Sequence, residues 1–200
     1  KDFSDELIDV IASEEKVCKA IHLPLQSGST AVLEKMNRKY TKEDYLALVD
    51  KIRSKVKGAT FSTDIIVGFP GETEENFRDT VDVVKKVRYD SAYTYIYSRR
   101  VGTPADKMED QIDEEVKVER IGRLIEVVNE ILEEQNEKLV GTTQKVLVEG
   151  TSKTNKDTLT GRTDGGKVVN FVGDSSLIGQ MVSLKIIEQR KWYLAGKIQV

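Results

Sequence analysis

The 200-residue sequence is poor in the residues that tie small proteins together covalently or through metals. It has a single cysteine, Cys18, and a single histidine, His22. One thiol excludes an internal disulfide framework and any cysteine-held metal or iron–sulfur site built by this chain alone. One histidine weighs against His-rich metal sites and Ser-His-Asp triads. Proline occurs only as Pro24, Pro70 and Pro104 and glycine 14 times, a composition unlike a disordered chain. No apolar run approaches the ~20 residues of a membrane helix. The chain opens at Lys1 without a charged-then-apolar leader, so neither a secretory signal nor a membrane partner is expected, and a cytoplasmic location is.

What the sequence has is charge, 32% of residues against 38% hydrophobic, enough to stay in water and still bury a core. The net charge of -3 is unevenly spread. Residues 141–200 hold nine basic and five acidic side chains, a balance of +4, and the preceding residues 22 basic and 29 acidic, a balance of -7. A basic module after an acidic body points to a polyanionic partner for the tail, with chance as the plain alternative.

Hydrophobic period divides the chain at Val140-Gly141, giving segments 1–140 and 141–200. In the first, Ser4 caps a helix that starts with acids. Val17 to Leu23 reads as a strand stopped by Pro24, with Cys18 as a buried core thiol. After a short helix at Ala31 to Met36, Thr41 and Asp44 form a capping box. Tyr45, Leu48, Val49, Ile52 and Val56 follow at helical spacing. Phe61 to Val67 is a second strand, Thr73 caps a helix with Phe77, Val81, Val84 and Val87 on one face, and Ala92 to Tyr97 is a third strand. Asp113 caps a long helix whose stripe runs through Val116, Ile121, Leu124, Ile125, Val128, Ile131 and Leu132. Strands alternating with helices imply a parallel sheet covered by helices. Three strands are too few for a closed eight-stranded barrel, and an open sheet leaves an apolar edge exposed, so a preceding N-terminal part is expected. After Gly141, five short strands with an Asp164-Gly165-Gly166 hairpin turn suit a small all-β barrel of the OB kind.

Each parallel strand ends in a loop of small residues: Pro24 to Ser29, Gly68 to Thr73 and Ser98 to Pro104. Ligands bind at the carboxyl ends of such strands, where glycine admits a ligand to the backbone; ordinary turn chemistry is the alternative for any one loop. Gln26 and Ser27 suit a ribose or carboxylate, or they cap the short helix. Asp64, a carboxylate in an apolar strand, is costly unless paired; it serves a ribose hydroxyl or ammonium group, or a salt bridge to Lys or Arg. Arg38 suits a ligand carboxylate, or a solvated helix end. Arg99 and Arg100 suit phosphate, or balance an acidic body. His22, without a nucleophile beside it, suits a structural hydrogen bond.

Four stretches carry a resemblance: His22-Leu23-Pro24-Leu25-Gln26-Ser27-Gly28-Ser29, Met36-Asn37-Arg38-Lys39-Tyr40-Thr41, Thr63 to Thr73 and Tyr97 to Ala105. In this order they resemble the radical S-adenosylmethionine methylthiotransferases, and most the MiaB type. The tail, with Gly161-Arg162-Thr163-Asp164, Val168-Val169-Asn170-Phe171 and Leu177-Ile178-Gly179-Gln180, resembles that family's RNA-binding TRAM domain. The resemblance implies an α/β chain forming the C-terminal part of a partial TIM-type barrel (1–140), followed by an OB-like TRAM barrel (141–200). It implies S-adenosylmethionine and two 4Fe-4S clusters in the parent enzyme. Its reaction there is methylthiolation at C2 of isopentenyl-adenosine beside the tRNA anticodon, through a 5′-deoxyadenosyl radical. The cluster cysteines are absent from this chain, so no catalytic or metal-ligating residue is expected in it.

By the same resemblance Gln26, Ser27, Arg38 and Asp64 face S-adenosylmethionine. Glu72 enters through a loose counterpart of Gly-x-Ile-x-Gly-x-x-Glu, in which Asp64 replaces the first glycine and the acid falls one place late. In the tail, Arg162, Lys167, Arg190 and Lys191 are the expected phosphate contacts, with Phe171 and Trp192 expected in the core and stacking on bases as the alternative. The implied partners are the tRNA anticodon stem-loop and an electron donor, with a monomeric protein. Three alternatives stay open: another modified adenosine or a ribosomal protein as substrate, a non-catalytic RNA-binding module, and a small-molecule α/β enzyme with a phosphate site.

Overall fold

A computed structural model of the chain describes residues 3–152, 155 and 157–199. Lys1, Lys153 and Lys156, which entered the reading of the start and the tail charge, lie outside the described residues.

The parallel sheet has the order β1-β2-β3, with β1 Ala20–His22, β2 Thr60–Val67 and β3 Ser91–Ile96. Burial alternates strictly along β2, and Phe61, Thr63, Ile65 and Val67 point into the helical layer. That layer holds α1 Asp5–Ser13, α3 Lys42–Lys55, α4 Glu74–Val87 and α5 Glu114–Glu137, while α2 Thr30–Lys35 follows the first strand-end loop. The predicted caps are present at Ser4 and Thr41, the latter as a reciprocal box with Asp44, and Thr73 pairs the same way with Asn76. Ile8, Tyr45, Ile52, Phe61, Phe77 and Leu124 share one core.

The sheet's other face is open. Parallel sheets are normally covered on both sides, yet Tyr93 and Tyr95 are 55% and 50% exposed beside Asp64 and Ile66 on β2.

β4 Thr143–Thr151, β5 Thr158–Thr163, β6 Val168–Val172, β7 Met181–Arg190 and β8 Tyr193–Ile198 form a closed barrel in the order β4-β5-β6-β8-β7. Its separate core holds Val146, Val148, Leu159, Val169, Phe171, Leu184, Ile186 and Leu194. The Asp164-Gly165-Gly166 turn joins β5 to β6 and rests against the N-terminal edge of the parallel sheet, where Thr60 Oγ1 donates to the Gly165 carbonyl at 2.8 Å. A Cβ on Gly165 would stand 2.7 Å from Thr60 Cγ2, so the close approach requires glycine.

Four expectations change. The first strand starts at Ala20 rather than Val17, which leaves Cys18 exposed and outside the core. Trp192 is 67% exposed, because it sits in the turn before β8, whereas Phe171 is buried. Asp113 occupies the N-cap of α5, but its side chain makes no cap hydrogen bond. The buried side of α5 runs through Lys117, Arg120, Leu124 and Ile131, and Val116 and Ile125 face outward, since ion pairing carries two charged residues inside.

Candidate functional site

The carboxyl ends of the strands hold the candidate residues. Gln26 follows the first strand in a left-handed conformation, φ 66°, unusual for a residue with a side chain. Its N–H donates to the Asp64 carbonyl and its carbonyl accepts from Ile66 N, both at 2.8 Å, which stitches the loop onto β2. Leu25 N adds a bond to Thr63 Oγ1 at 2.8 Å. Backbone held in a sparsely populated region by surrounding bonds is characteristic of ligand sites. Gly28 continues the loop against α4, and a Cβ there would meet Thr80 Cα at 2.5 Å.

Gln26 and Arg38 come together in a crevice of about 420 Å³, walled by Leu23, Pro24 and Tyr40. Asn37, φ 57°, ends the turn after α2, and the next residue, Arg38, projects outward. Among the described residues the Arg38 guanidinium has no ion-pair partner, while Tyr40 donates to the Leu25 carbonyl at 3.1 Å. Burial pushes the Tyr40 hydroxyl above its ordinary pKa, and the Arg38 charge pulls it back. A free guanidinium beside an amide and an apolar wall suits an amino-acid carboxylate.

Asp64 is adjacent through the backbone, but its side chain lies on the open face of the sheet. Its Oδ2 is 3.4 Å from His22 Nε2, and His22 Nδ1 is 3.0 Å from Ser62 Oγ. The carboxylate is 31% exposed and its partner is the histidine, not the Lys or Arg that the pairing alternative called for. Partly in solvent, it can still accept from an ammonium or hydroxyl.

Two candidates turn inward. Ser27 is fully buried, its hydroxyl 3.4 Å from Thr80 Oγ1 and accepting from Ser29 N at 3.2 Å, so it braces the turn before α2. The Glu72 side chain is 1% exposed and ion-paired to Arg120 at 2.9 Å. Glu72 Oε1 also accepts from Gly68 N at 2.9 Å. Burial raises its pKa, opposed by the Gly68 N–H and Arg120. Glu72 therefore anchors the Gly68-Phe69-Pro70-Gly71 loop from behind rather than facing a ligand.

The expected RNA contacts divide as well. Lys167 is not a free phosphate contact: its side chain is 11% exposed and ion-paired with Asp90. Arg162 pairs with Glu149 at 3.1 Å and Arg190 with Glu188 at 2.8 Å, so both are exposed but offset. Lys191 lies over the Trp192 ring at 5.3 Å, without an acidic partner among the described residues. Arg99 is tied to Asp106 at 3.1 Å, and Arg100 is exposed. Sequence reasoning missed Lys145, Lys185 and Lys197, which stand exposed on the barrel.

Comparison with known proteins bears on both halves. The Radical SAM superfamily profile matches residues 2–84 and the TRAM domain profile residues 137–198. The tRNA-2-methylthio-N(6)-dimethylallyladenosine synthase of Acetivibrio thermocellus is 57% identical over 198 residues, 99% of this chain and 41% of that protein. The synthases so named in Alkaliphilus oremlandii and Finegoldia magna are 55% and 54% identical over the same length, covering 42% and 43% of those proteins. Nearly the whole chain is thus similar to these synthases, and its two segments match the Radical SAM superfamily and the TRAM domain. It spans about two-fifths of the length of the curated relatives it matches.

Coproporphyrinogen III oxidase from Escherichia coli, a radical SAM enzyme, shares the fold at a TM-score of 0.55 and 16% identity, over 82% of this chain and 44% of that one. The Gln26–Arg38 crevice and the Asp64 carboxylate have the chemistry to meet a ligand that carries both a carboxylate and an ammonium. A cubane cluster is different. It takes about three or four thiolates, and this chain has Cys18 alone. No helix among the described residues is long and apolar enough to cross a membrane.

Proposed function

We propose that this chain contributes the S-adenosylmethionine-facing strand ends and the RNA-binding barrel of an enzyme that methylthiolates C2 of N6-dimethylallyl-adenosine, that is isopentenyl-adenosine, in tRNA. Residues 1–140 form the C-terminal portion of the radical SAM barrel and residues 141–200 the TRAM barrel. The observation that carries this reading is the match at 57% identity to a synthase so named, over 198 residues that take in both segments. S-adenosylmethionine, when bound, supplies the radical and methyl-transfer chemistry, with 4Fe-4S clusters and an electron donor provided outside this chain's own residues.

What these residues do is bind and orient. Arg38 pairs with the cofactor carboxylate, Gln26 hydrogen-bonds beside it, and Asp64 accepts from the ammonium or a ribose hydroxyl. The anticodon stem-loop lies against the barrel, and the protein works as a monomer in the cytoplasm.

The test uses the full-length enzyme. Arg38→Ala is expected to weaken S-adenosylmethionine binding about 10-fold or more, the value of a charge-assisted hydrogen bond, with melting unchanged. Ser27→Ala is expected to do the reverse, lowering stability by about 1–3 kcal/mol for the buried groups it strands. Methylthio-nucleoside content of the tRNA, measured after digestion, reports activity. No methylthiolated adenosine from the cluster-loaded wild-type enzyme, given a reductant, S-adenosylmethionine, a sulfide source and isopentenylated tRNA, would overturn the reading.

A further inference from the structure

The outer surface of the barrel carries an unpaired basic face that neither the profile matches nor the sequence motifs indicate. On β8, β7 and β4 the register sets Lys197 opposite Lys185 and Lys185 opposite Thr143. In the next outward row Ser183 stands opposite Lys145, and in the row beyond, Met181, Leu147 and Arg162 are neighbours. Lys145, Lys185 and Lys197 are exposed, while Val146, Leu184, Ile186 and Gly196 between them face the core. Among the described residues none of the three lysines has an ion pair; the carboxylate nearest in register is Asp164, in the turn just after Thr163, on the Lys145 side.

Like charges directly opposite across antiparallel strands oppose folding. Lys185 and Lys197 occupy such a pair, and Lys145 lies on the diagonal, about 7–8 Å away. Two outward acids of the same strands are already used, Glu149 by Arg162 and Glu188 by Arg190. Adjoining the lysines, Leu147 and Met181 are 44% and 60% exposed. A row of uncompensated ammonium groups next to an apolar strip fits a phosphodiester backbone with riboses or bases beside it. An acidic protein fits less well, because the charges lie in a line and the apolar strip is narrow.

We propose that this β8–β7–β4 face, through Lys145, Lys185 and Lys197, is the barrel's phosphate-contact surface for RNA, in place of the expected set Arg162, Lys167, Arg190 and Lys191. The proposal rests on the tRNA reading above and assigns its contact face.

The experiment is tRNA binding by the full-length enzyme across salt concentrations. The variants are Lys145→Gln, Lys185→Gln and Lys197→Gln, singly and together, beside Arg190→Gln. Each lysine lost is expected to lower the slope of log affinity against log salt by up to about 1. The triple variant is then expected to be roughly 40-fold less salt-responsive than wild type between 50 and 200 mM salt. Arg190→Gln is expected to leave the slope unchanged. Lys185→Glu, which creates an opposite-charge pair with Lys197, is expected to raise the melting temperature while weakening tRNA binding, an outcome that loss of folding cannot imitate. Wild-type binding with an unaltered slope in the triple variant would overturn the assignment and leave the tRNA reading standing. Absence of tRNA binding by wild type would remove both.

Discussion

Lys167 reaches from the TRAM barrel to the base of the parallel sheet, its Nζ 3.3 Å from Asp90 Oδ1 and donating to the Asp90 carbonyl at 3.1 Å. Asp90 Oδ2 in turn accepts from Phe61 N at 3.0 Å, so one carboxylate holds both the sheet and the barrel. Burial lowers the Lys167 pKa and the Asp90 charge opposes that shift. Removing one member of a pair this enclosed strands the other. Lys167→Met is expected to destabilise by about 3 kcal/mol, and Gly165→Val, which drives a side chain into Thr60, to loosen the same contact. Denaturant melts check both. Full stability in Lys167→Met would show that the junction does not depend on this pair.

The Tyr45–Tyr89 pair gives the fold an alkaline limit. Tyr89 donates to Tyr45 at 2.9 Å, and Tyr45 donates to the Leu23 carbonyl at 2.8 Å. Burial pushes the Tyr45 hydroxyl from 10.0 up to about 12 and raises Tyr89 as well. Both pKa values are higher in the folded chain, so the unfolded chain loses its protons first. The stability they contribute is intact below pH 10.0 and is lost as pH climbs towards about 12. The two-unit shift at Tyr45 corresponds to about 2–3 kcal/mol. Urea midpoints measured from pH 8 upward are expected to fall above about pH 10, and Tyr45→Phe to flatten that fall.

Glu72 and Arg120 separate a structural role from a ligand role. The pair is buried on both sides, with side chains 1% and 7% exposed, and Arg120 also donates to the Glu72 carbonyl at 2.9 Å. Arg120→Met is expected to cost about 3–5 kcal/mol by leaving a carboxylate buried and unpaired. Adding Glu72→Gln is expected to recover part of that loss. Denaturation midpoints of the two variants decide. Reduced cofactor affinity in Glu72→Gln, without loss of stability, would return Glu72 to the binding site.

The sequence made local features readable and hid those set by distant partners. The Thr41–Asp44 box and the Asp164-Gly165-Gly166 turn depend on residues three or four apart, and both are present. Gln26 stands out by its place after the first strand, Asp64 as a lone carboxylate in an apolar strand, and Arg38 as a basic residue after the short helix. By contrast, Arg120 is inside α5 because Glu72, 48 residues earlier, receives it. Lys167 is inside because Asp90, 77 residues earlier, does the same. Neither partner is visible to helical or strand periodicity. The Lys185–Lys197 opposition likewise depends on the register of β7 with β8, which includes an irregularity between Ile186 and Glu188.

Asp64 is where the proposed cofactor site and the fold are most cleanly separable. Its only ion-pair partner among the described residues is His22, at 3.4 Å, and both side chains are partly exposed, 31% and 47%. Pairs of that kind contribute about 0–1 kcal/mol. Asp64→Asn keeps the shape and removes the charge, so its effect on melting is expected to be under about 1 kcal/mol. If the carboxylate receives an ammonium or ribose hydroxyl of S-adenosylmethionine, the loss appears in cofactor affinity instead, about 10-fold or more. His22→Gln, which removes the protein partner and leaves the carboxylate, is expected to reduce affinity less than Asp64→Asn does. Calorimetric titration of S-adenosylmethionine into the full-length enzyme, alongside denaturant melts of each variant, distinguishes the two roles. A large stability loss with unchanged cofactor affinity would make Asp64 a structural residue of the open sheet face and move the cofactor's polar contacts to Gln26 and Arg38 alone.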